Sequence, residues 1–379
     1  MVRSPGRVNL IGEHTDYNEG FVLPAAIDRA ITVALGARND ARMAFFAADV
    51  GQHHECSLEK FARSEKGWPN YLLGVVDQLQ KAGYPLGGFN CVFGGDVPIG
   101  AGMSSSAAIE GGLAYGLNEL FGFGITPLQL VKFAQRAEND FVGVRCGIMD
   151  QFINIFGREG HVLRIDCRSL EYQHVPLRDD GVRIVLCDSG VRRGLAGSEY
   201  NTRRQQCEAG VRVLKKFEPG LHSLRDVTLD MLEAHRADLD PVVYRRCRYV
   251  VAENLRVLGA CDDLERGNVR GFGAKMAESH RGLRDEYEVS CPELDLLVEL
   301  ASDVDGVLGG RMMGAGFGGC TINLVEEARV SALKEVIERE YLKHIGRPVT
   351  LHVCSISGGT SRILPESHYV EEESVKGGL

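Results

Sequence analysis

The order of apolar and polar positions divides the chain into short strands and long helices. Over the first 50 residues, apolar runs at 8–11, 21–27, 31–37 and 43–47 are cut by Gly, Asn and Asp, which predicts strands joined by turns. Tyr71, Val75, Leu79 and Ala82 then recur at the spacing of one helical face, predicting a helix over 70–82. Residues 88–94 return to strand character. Beyond a glycine-rich stretch at 100–102, Ile109, Leu113, Leu117 and Leu120 mark a helix over 104–121. Thr126, Pro127 and Gln129 supply an N-cap, a proline at the first helical position and a capping-box partner, for a helix running to about 142. Past residue 180 a strand is expected at 182–187, helices near 199–217, 243–258, 266–281 and 292–302, and strands at 321–325 and 350–355 around a last helix at 328–343. The polar, glycine-ended stretch 371–379 is expected to fray.

A length of 379 residues suits two domains, and the boundary is expected near residue 175, giving 1–175 and 176–379. Hydrophobic residues at 44% and charged residues at 25% exclude general disorder. The net charge of −9, without dense Lys/Arg, argues against a nucleic-acid footprint. Arg203-Arg204 and Arg245-Arg246 are expected to be solvated faces of mixed helices. The eleven cysteines include no Cys-x-x-Cys pair and fall mostly among apolar neighbours, as small buried hydrophobes do in a reducing compartment. His53, His54 and Cys56 lack a fourth metal ligand and read as a surface hairpin. No apolar run approaches a membrane span and no signal peptide precedes the first strand, so a cytoplasmic, membrane-free protein is expected.

Candidate chemistry gathers in a few segments. Residues 5–24, PGRVNLIGEHTDYNEGFVLP, place Glu13, His14 and Asp16 just past a buried run that carries Arg7. Carboxylates accept from hydroxyls and a guanidinium takes negative charge, so this set suits a hydroxyl-rich ligand with an anionic reacting partner. In residues 96–110, DVPIGAGMSSSAAIE, Gly100 and Gly102 permit close backbone approach, and Ser104–Ser106 open a helix whose free N–H groups favour phosphate. No Lys follows the glycines, so this is not a Walker loop. Glu138 falls on the stripe Val131, Ala134, Glu138, Phe141, and a carboxylate on a buried face must be paired, hydrogen-bonded or metal-bound. Asp150, flanked by Met149 and Phe152, reads as a base, a ligand or a buried cap in an apolar loop. Gly314, Gly316 and Gly319 have G-x-G-x-x-G spacing but precede a strand, whereas a dinucleotide fingerprint follows one; a tight turn against the active site is expected.

These segments, in this order, resemble the three motifs of the GHMP small-molecule kinases, and Gly12-Glu13-His14-Thr15-Asp16-Tyr17-Asn18 resembles their galactose-phosphorylating branch. The likeness continues through Trp68-Pro69-Asn70-Tyr71, Cys146 to Asp150, Ser198 to Arg204, and Ser279 to Asp295. It implies an α+β fold in two domains, the first like the second domain of ribosomal protein S5 and the second ferredoxin-like, with the active site in the cleft between them. It implies transfer of phosphate from ATP to the C1 hydroxyl of α-D-galactose, giving α-D-galactose 1-phosphate and ADP. By that resemblance Arg7 and Asp150 are catalytic, and Glu13, His14, Thr15, Asp16, Gly147 and Tyr200 meet the sugar. Gly100, Ala101, Gly102, Met103, Ser104, Ser105 and Ser106 meet ATP with Trp68 near adenine, and Ser106 and Glu138 hold Mg²⁺. Asp150 would accept the C1 proton or merely orient that hydroxyl, and a monomer is the expected form. The same motifs would serve a kinase for N-acetylgalactosamine or another galactose-like sugar. A non-catalytic sugar-binding regulator is disfavoured because Ser106-Ala107 are intact. Family members usually carry a longer segment ahead of Pro5-Gly6-Arg7, and the edge of the first domain is expected to be less stable for it.

Overall fold

The computed structural model describes residues 1–98, 100, 102–177, 181–192 and 196–364, without the side chains of 196–198; the expected fraying of 371–379 lies outside them. A six-stranded sheet runs in the order Ser361–Arg362, Val2–Asn9, Pro24–Ala37, Phe89–Gly95, Arg42–Ala47, Gln52–Ser57. All neighbours are antiparallel except Arg42–Ala47 beside Phe89–Gly95. Met43, Phe45 and Ala47 alternate with more exposed neighbours, as do Phe89, Cys91 and Phe93, so one face of this sheet is core. The helix Ser105–Phe121 packs on Val2–Asn9 and Pro24–Ala37, with Pro69–Lys81 beside it. The sequence-derived strands 21–27 and 31–37 are redrawn as Phe21–Val22 and one long strand, Pro24–Ala37. The histidines and cysteine of 53–56 do sit on a hairpin, pairing Arg42–Ala47 with Gln52–Ser57.

The second sheet is wholly antiparallel, in the order Val307–Met312, Cys320–Glu326, Val182–Asp188, Thr350–Cys354. Its chain order of strand, helices, strand, strand, helix, strand is the split β-α-β connectivity of the ferredoxin-like arrangement. Its central strands are buried along most of their length, although they carry polar residues such as Thr321 and Asn323 among the apolar ones. Helices Pro292–Ser302 and Val330–Ile345 close this core around Val185, Leu297, Ile337 and Tyr341. A further helical layer, Ala196–Leu214 against Pro241–Glu265, has its own core around Cys207, Val250 and Leu232. The expected boundary near 175 falls inside the strand Tyr172–Pro176, and the chain beyond it does not stay in the second half. Ile356 bridges Ile27, and Ser361–Arg362 pairs with Val2 and Arg3 on the first sheet. Strand pairing is non-local, and nothing in the local pattern of 356–362 announces that return.

Several sequence expectations are corrected. One arginine of each pair is interior: Arg203 is 7% exposed and donates to the carbonyls of Tyr287 (2.8 Å) and Glu288 (2.7 Å). Arg246, also buried, donates to Glu286 O and Glu288 Oε2. The helix beginning at Pro127 has both capping-box bonds, but it is α-helical only to Arg136 and continues as a π-turn over Ala137–Val142. None of the eleven cysteines is in a disulfide. Among the described residues no helix is long and apolar enough to cross a membrane.

Arg311 joins the two sheets. It is fully buried on Val307–Met312 and donates to Leu10 O (2.6 Å), Met312 O (2.6 Å), Asn9 O and Glu13 Oε1 (3.1 Å). Its removal takes a donor from each of these acceptors and leaves the Glu13 carboxylate in the interior without its cation. Arg311→Met is therefore expected to cost about 3–5 kcal/mol, read by denaturant unfolding; a loss below about 1 kcal/mol would sink this account of the junction.

Candidate active site

After Val2–Asn9 the chain turns at Gly12, where φ is 95° and a Cβ would stand 2.8 Å from Phe21 O. Glycine is therefore required, and the turn sends Glu13, His14 and Asp16 toward the second sheet. They line a cavity of about 370 Å³ together with Arg7, Glu138, Gly147, Asp150 and Tyr200. That volume lies within the range of small-molecule sites, roughly 300–1,000 Å³. The side chains that motif and periodicity singled out in separate segments thus meet in one place.

At its floor Arg7 donates through Nε to Asp150 Oδ1 (2.8 Å) and through Nη2 to Oδ2 (2.7 Å), a bidentate pair. Asp150 is not in a loop, as its sequence surroundings suggested, but is the second residue of the helix Met149–Phe156. There the helix dipole favours a carboxylate. Ser104 has φ 54° and does not cap the helix it precedes; its hydroxyl donates to Asp150 Oδ2. The buried Met103 accepts the Arg7 N–H at its carbonyl (3.1 Å), so the glycine-serine loop and the first strand hold one another.

Ser105 and Ser106 form the first turn of Ser105–Phe121, and the Ser106 hydroxyl reaches Glu138. Gly100 and Gly102 border a neighbouring cavity of about 320 Å³ with Arg192 and the turn 313–319; Ala101 lies outside the described residues. That turn joins two antiparallel strands, in keeping with the rejection of a dinucleotide fingerprint. Gly314 and Ala315 border both cavities. Two selected residues are elsewhere. Thr15 is fully buried, its hydroxyl donating to Gly12 O (2.9 Å) and Phe21 O (2.6 Å). Trp68 packs on Phe93 and donates to Gln52 Oε1 (2.9 Å), and it lines neither cavity.

Burial governs the titration of the site. Desolvation pushes Asp16 from its ordinary 3.8 up to about 7, with the charges of Asp150 and Glu13 adding to the effect. Glu138, 8% exposed, rises to about 7 by desolvation and the Asp150 charge. His14 falls to about 3 because its ring is buried, and it is neutral at physiological pH. A Cβ at Gly147 would stand 1.8 Å from Asp16 Oδ2, so only glycine lets that carboxylate occupy its position. Glu13 Oε1 also accepts the Gly314 N–H (2.8 Å), which ties the turn after the first strand to the glycine turn.

Three contributors escaped the motif reading. Glu110 is fully buried behind Glu138, and its carboxyl is held well above the usual range by desolvation and then by Glu138. Gln151 Nε2 bridges them, donating to Glu138 Oε2 (2.8 Å) and Glu110 Oε2 (3.3 Å). The reasoning that exposed Glu138 applies to Glu110, which lies three residues before Leu113 on an apolar helix. Arg311 has no comparable signal, because a strand shows only its alternation and not which carbonyls will face it.

Residues 1–37 match the galactokinase galactose-binding signature, 70–158 the GHMP kinases N terminal domain, and 260–344 the GHMP kinases C terminal domain. A galactokinase of Roseiflexus sp. (strain RS-1) is 48% identical over 364 residues, covering 96% of this chain and 93% of the relative. The chain belongs to the galactokinase family of the GHMP kinases. The crystal structure of Lactococcus lactis galactokinase complexed with galactose superposes with a TM-score of 0.91 at 35% identity, covering 96% of this chain and 94% of that one. Mevalonate kinase of L. major in complex with R-mevalonate, at 15% identity and a TM-score of 0.61 over 94% and 95% of the two chains, shares the fold.

The raised carboxyl of Asp16 makes stability depend on pH. The folded protein keeps a proton there that the unfolded chain releases above about pH 4. Its contribution is therefore complete below about pH 4, is lost as pH rises to about 7, and is level beyond. Asn mimics the protonated form, so ligand-free Asp16→Asn is expected to exceed the parent by roughly 1–3 kcal/mol at pH 8 and to match it at pH 4. Denaturant unfolding at the two pH values measures this; equal differences at both would refute the assignment.

Proposed function

We infer that the protein transfers the γ-phosphoryl group of ATP to the C1 hydroxyl of α-D-galactose, giving α-D-galactose 1-phosphate and ADP. One observation carries the reading. The stretch that matches the galactose-binding signature supplies Arg7, Glu13, His14 and Asp16 to the same cavity as Asp150. The Roseiflexus relative and the Lactococcus lactis relative are both galactokinases, the latter complexed with galactose.

Phosphoryl transfer asks the protein chiefly for positioning and charge neutralisation. Glu13 and Asp16 would accept from sugar hydroxyls, Tyr200 and the Gly147 backbone would complete the walls, and ATP would lie across the second cavity with its phosphates at Gly100–Ser106. Asp150 Oδ2 already takes two donors, Arg7 Nη2 and Ser104 Oγ, whereas Oδ1 takes Arg7 Nε alone. A carboxylate oxygen has two lone pairs, so Oδ1 keeps one for the C1 hydroxyl, whose proton it would accept as general base. Arg7, fixed beside it, would neutralise charge on the phosphoryl group in transit.

The donor set fits Mg²⁺. Glu110, Glu138 and Asp150 adjoin one another, and burial, then the Asp150 charge, raises Glu138 to about 7, a penalty that a bound cation would relieve. Among the described residues no cluster of three His, Cys, Asp or Glu could hold a metal unaided, which suits an ion that keeps water and nucleotide oxygens as ligands. Ser106 and Glu138 would hold it, and when bound it would supply electrostatic neutralisation of the phosphates. Eleven cysteines with no disulfide among them suit a reducing compartment, and we place the reaction in the cytoplasm.

A coupled ADP-release assay over a sugar panel tests the reading. Glucose differs from galactose at C4 alone, and a site built to bond a hydroxyl is left with unpaired groups when that hydroxyl points elsewhere. Galactose should exceed glucose by about 10⁴-fold in kcat/KM; comparable values, or preference for N-acetylgalactosamine, would overturn the substrate assignment. Asp150→Asn should still bind galactose by calorimetry while kcat falls at least about 10²-fold, and retention of a tenth of kcat would leave orientation as its whole role. Glu138→Gln should raise the Mg²⁺ concentration needed for ATP binding; a lowered Tm with unchanged Mg²⁺ dependence would make Glu138 purely structural.

A further inference from the structure

One helix of the second half holds the backbone of the turn that carries the first motif. Glu253, on the helix Pro241–Glu265, is fully buried, and three donors reach its carboxylate. Oε1 accepts the Gly12 N–H (3.0 Å) and the Ser279 hydroxyl (2.6 Å), and Oε2 accepts Arg256 Nε (2.7 Å). One turn earlier on the same helix, the Tyr249 hydroxyl donates to Glu13 O (3.0 Å). Next to Glu253, Asn254 Oδ1 accepts the Phe21 N–H (2.9 Å). These three contacts from one helix face bracket the segment that gives Glu13, His14 and Asp16 to the cavity.

The Gly12 N–H is buried at the point where the chain leaves the first strand, and an unpaired amide there is costly. Among the described residues its acceptor is Glu253, which stands on a distant helix. A carboxylate holds an amide more strongly than a neutral acceptor does, but its own burial is tolerated only when further donors surround it. Arg256 and Ser279 supply them. Glu253, Tyr249 and Asn254 do not line the cavity, so they meet no ligand. Their bonds to the loop run to its backbone and therefore set its path.

We propose that Glu253 is a positioning residue of the sugar site: its Oε1 fixes the Gly12 turn, and with it the direction in which Glu13 and Asp16 face the sugar. This rests on the galactose reading of the cavity. Tyr249 supports the same turn through the Glu13 carbonyl, and Asn254 anchors the end of the loop at Phe21. The two oxygens of Glu253 have separate tasks. Oε1 holds the turn, whereas Oε2 pairs with Arg256 and serves the stability of the helix layer.

The test compares two substitutions at Glu253 by steady-state kinetics, thermal unfolding and amide hydrogen exchange of residues 10–22. Glu253→Gln keeps one carbonyl oxygen. The Gly12 N–H can only donate, so that oxygen stays on its side and the new amide group faces Arg256. This variant should lose Tm with the ion pair, yet keep the galactose KM and the exchange of the loop within about two-fold of the unsubstituted protein. Glu253→Met removes both oxygens; it should raise the galactose KM about ten-fold and speed exchange of the loop by at least as much. Its kcat and ATP KM should stay within about two-fold, since Asp150 and the glycine-serine loop are untouched. Tyr249→Phe keeps its ring and should raise the galactose KM and loop exchange about three-fold, which decides the matter if Glu253→Met does not fold. A galactose KM that rises equally in Glu253→Gln and Glu253→Met, one that is unchanged in Tyr249→Phe, or an equal rise in the ATP KM would overturn the proposal. Absence of galactose turnover in the unsubstituted protein would instead overturn the functional reading; the exchange measurements would still decide the role of Glu253, and unchanged loop exchange in Glu253→Met and Tyr249→Phe would refute it.

Discussion

Negative charge gathered out of water is the constraint on which this structure depends. Glu13, Asp16, Glu110, Glu138 and Asp150 surround one region, and Arg7 and Arg311 face them from within the protein. Each guanidinium's remaining N–H groups are satisfied by backbone carbonyls: Gly102 O for Arg7, and Leu10 O and Met312 O for Arg311. The remaining carboxyls are under-compensated, and Asp16 and Glu138 respond by rising to about 7. An interior with surplus acceptors is costly for a ligand-free fold and well matched to a ligand that brings donors and a cation.

The same groups carry the architecture. Glu13 accepts from Arg311 on the second sheet and from the glycine turn at Gly314, and its carbonyl accepts from Tyr249 (3.0 Å). Arg7 and Ser104 converge on Asp150, bringing the first strand, the glycine-serine loop and the helix Met149–Phe156 to one point. Binding residues are therefore also junction residues, so their substitution changes rigidity as well as contacts. Gly147 shows how little slack remains, since a single methyl group there would overlap Asp16.

The elements that the sequence revealed best were those with a long periodic signal or explicit end chemistry. The helices at 70–82 and 104–121 appear within a residue at either end, and the capping box at Thr126 is realised in full. Short elements without such signals were missed: Met149–Phe156 read as an apolar loop, and His161–Asp166 gave no expectation at all. Eight residues of mostly apolar character do not distinguish a buried helix from a buried strand or turn.

The site divides in the same way. Sequence alone determined which chemical groups are present: the acceptors of 13–16, the glycine-serine loop, and a glutamate at 138 whose apolar stripe required a partner. Those follow from residue type and local spacing, which need no knowledge of the rest of the chain. Only the tertiary structure decided what each group touches. Ser104 turned from its helix to Asp150, Thr15 was spent on two carbonyls, Gln151 joined Glu110 to Glu138, and Arg311 reached Glu13 from 298 residues away along the chain. Hydrogen-bond partners and desolvation depend on which distant backbone closes over a side chain, and that is settled by sheet pairing and packing rather than by any local pattern.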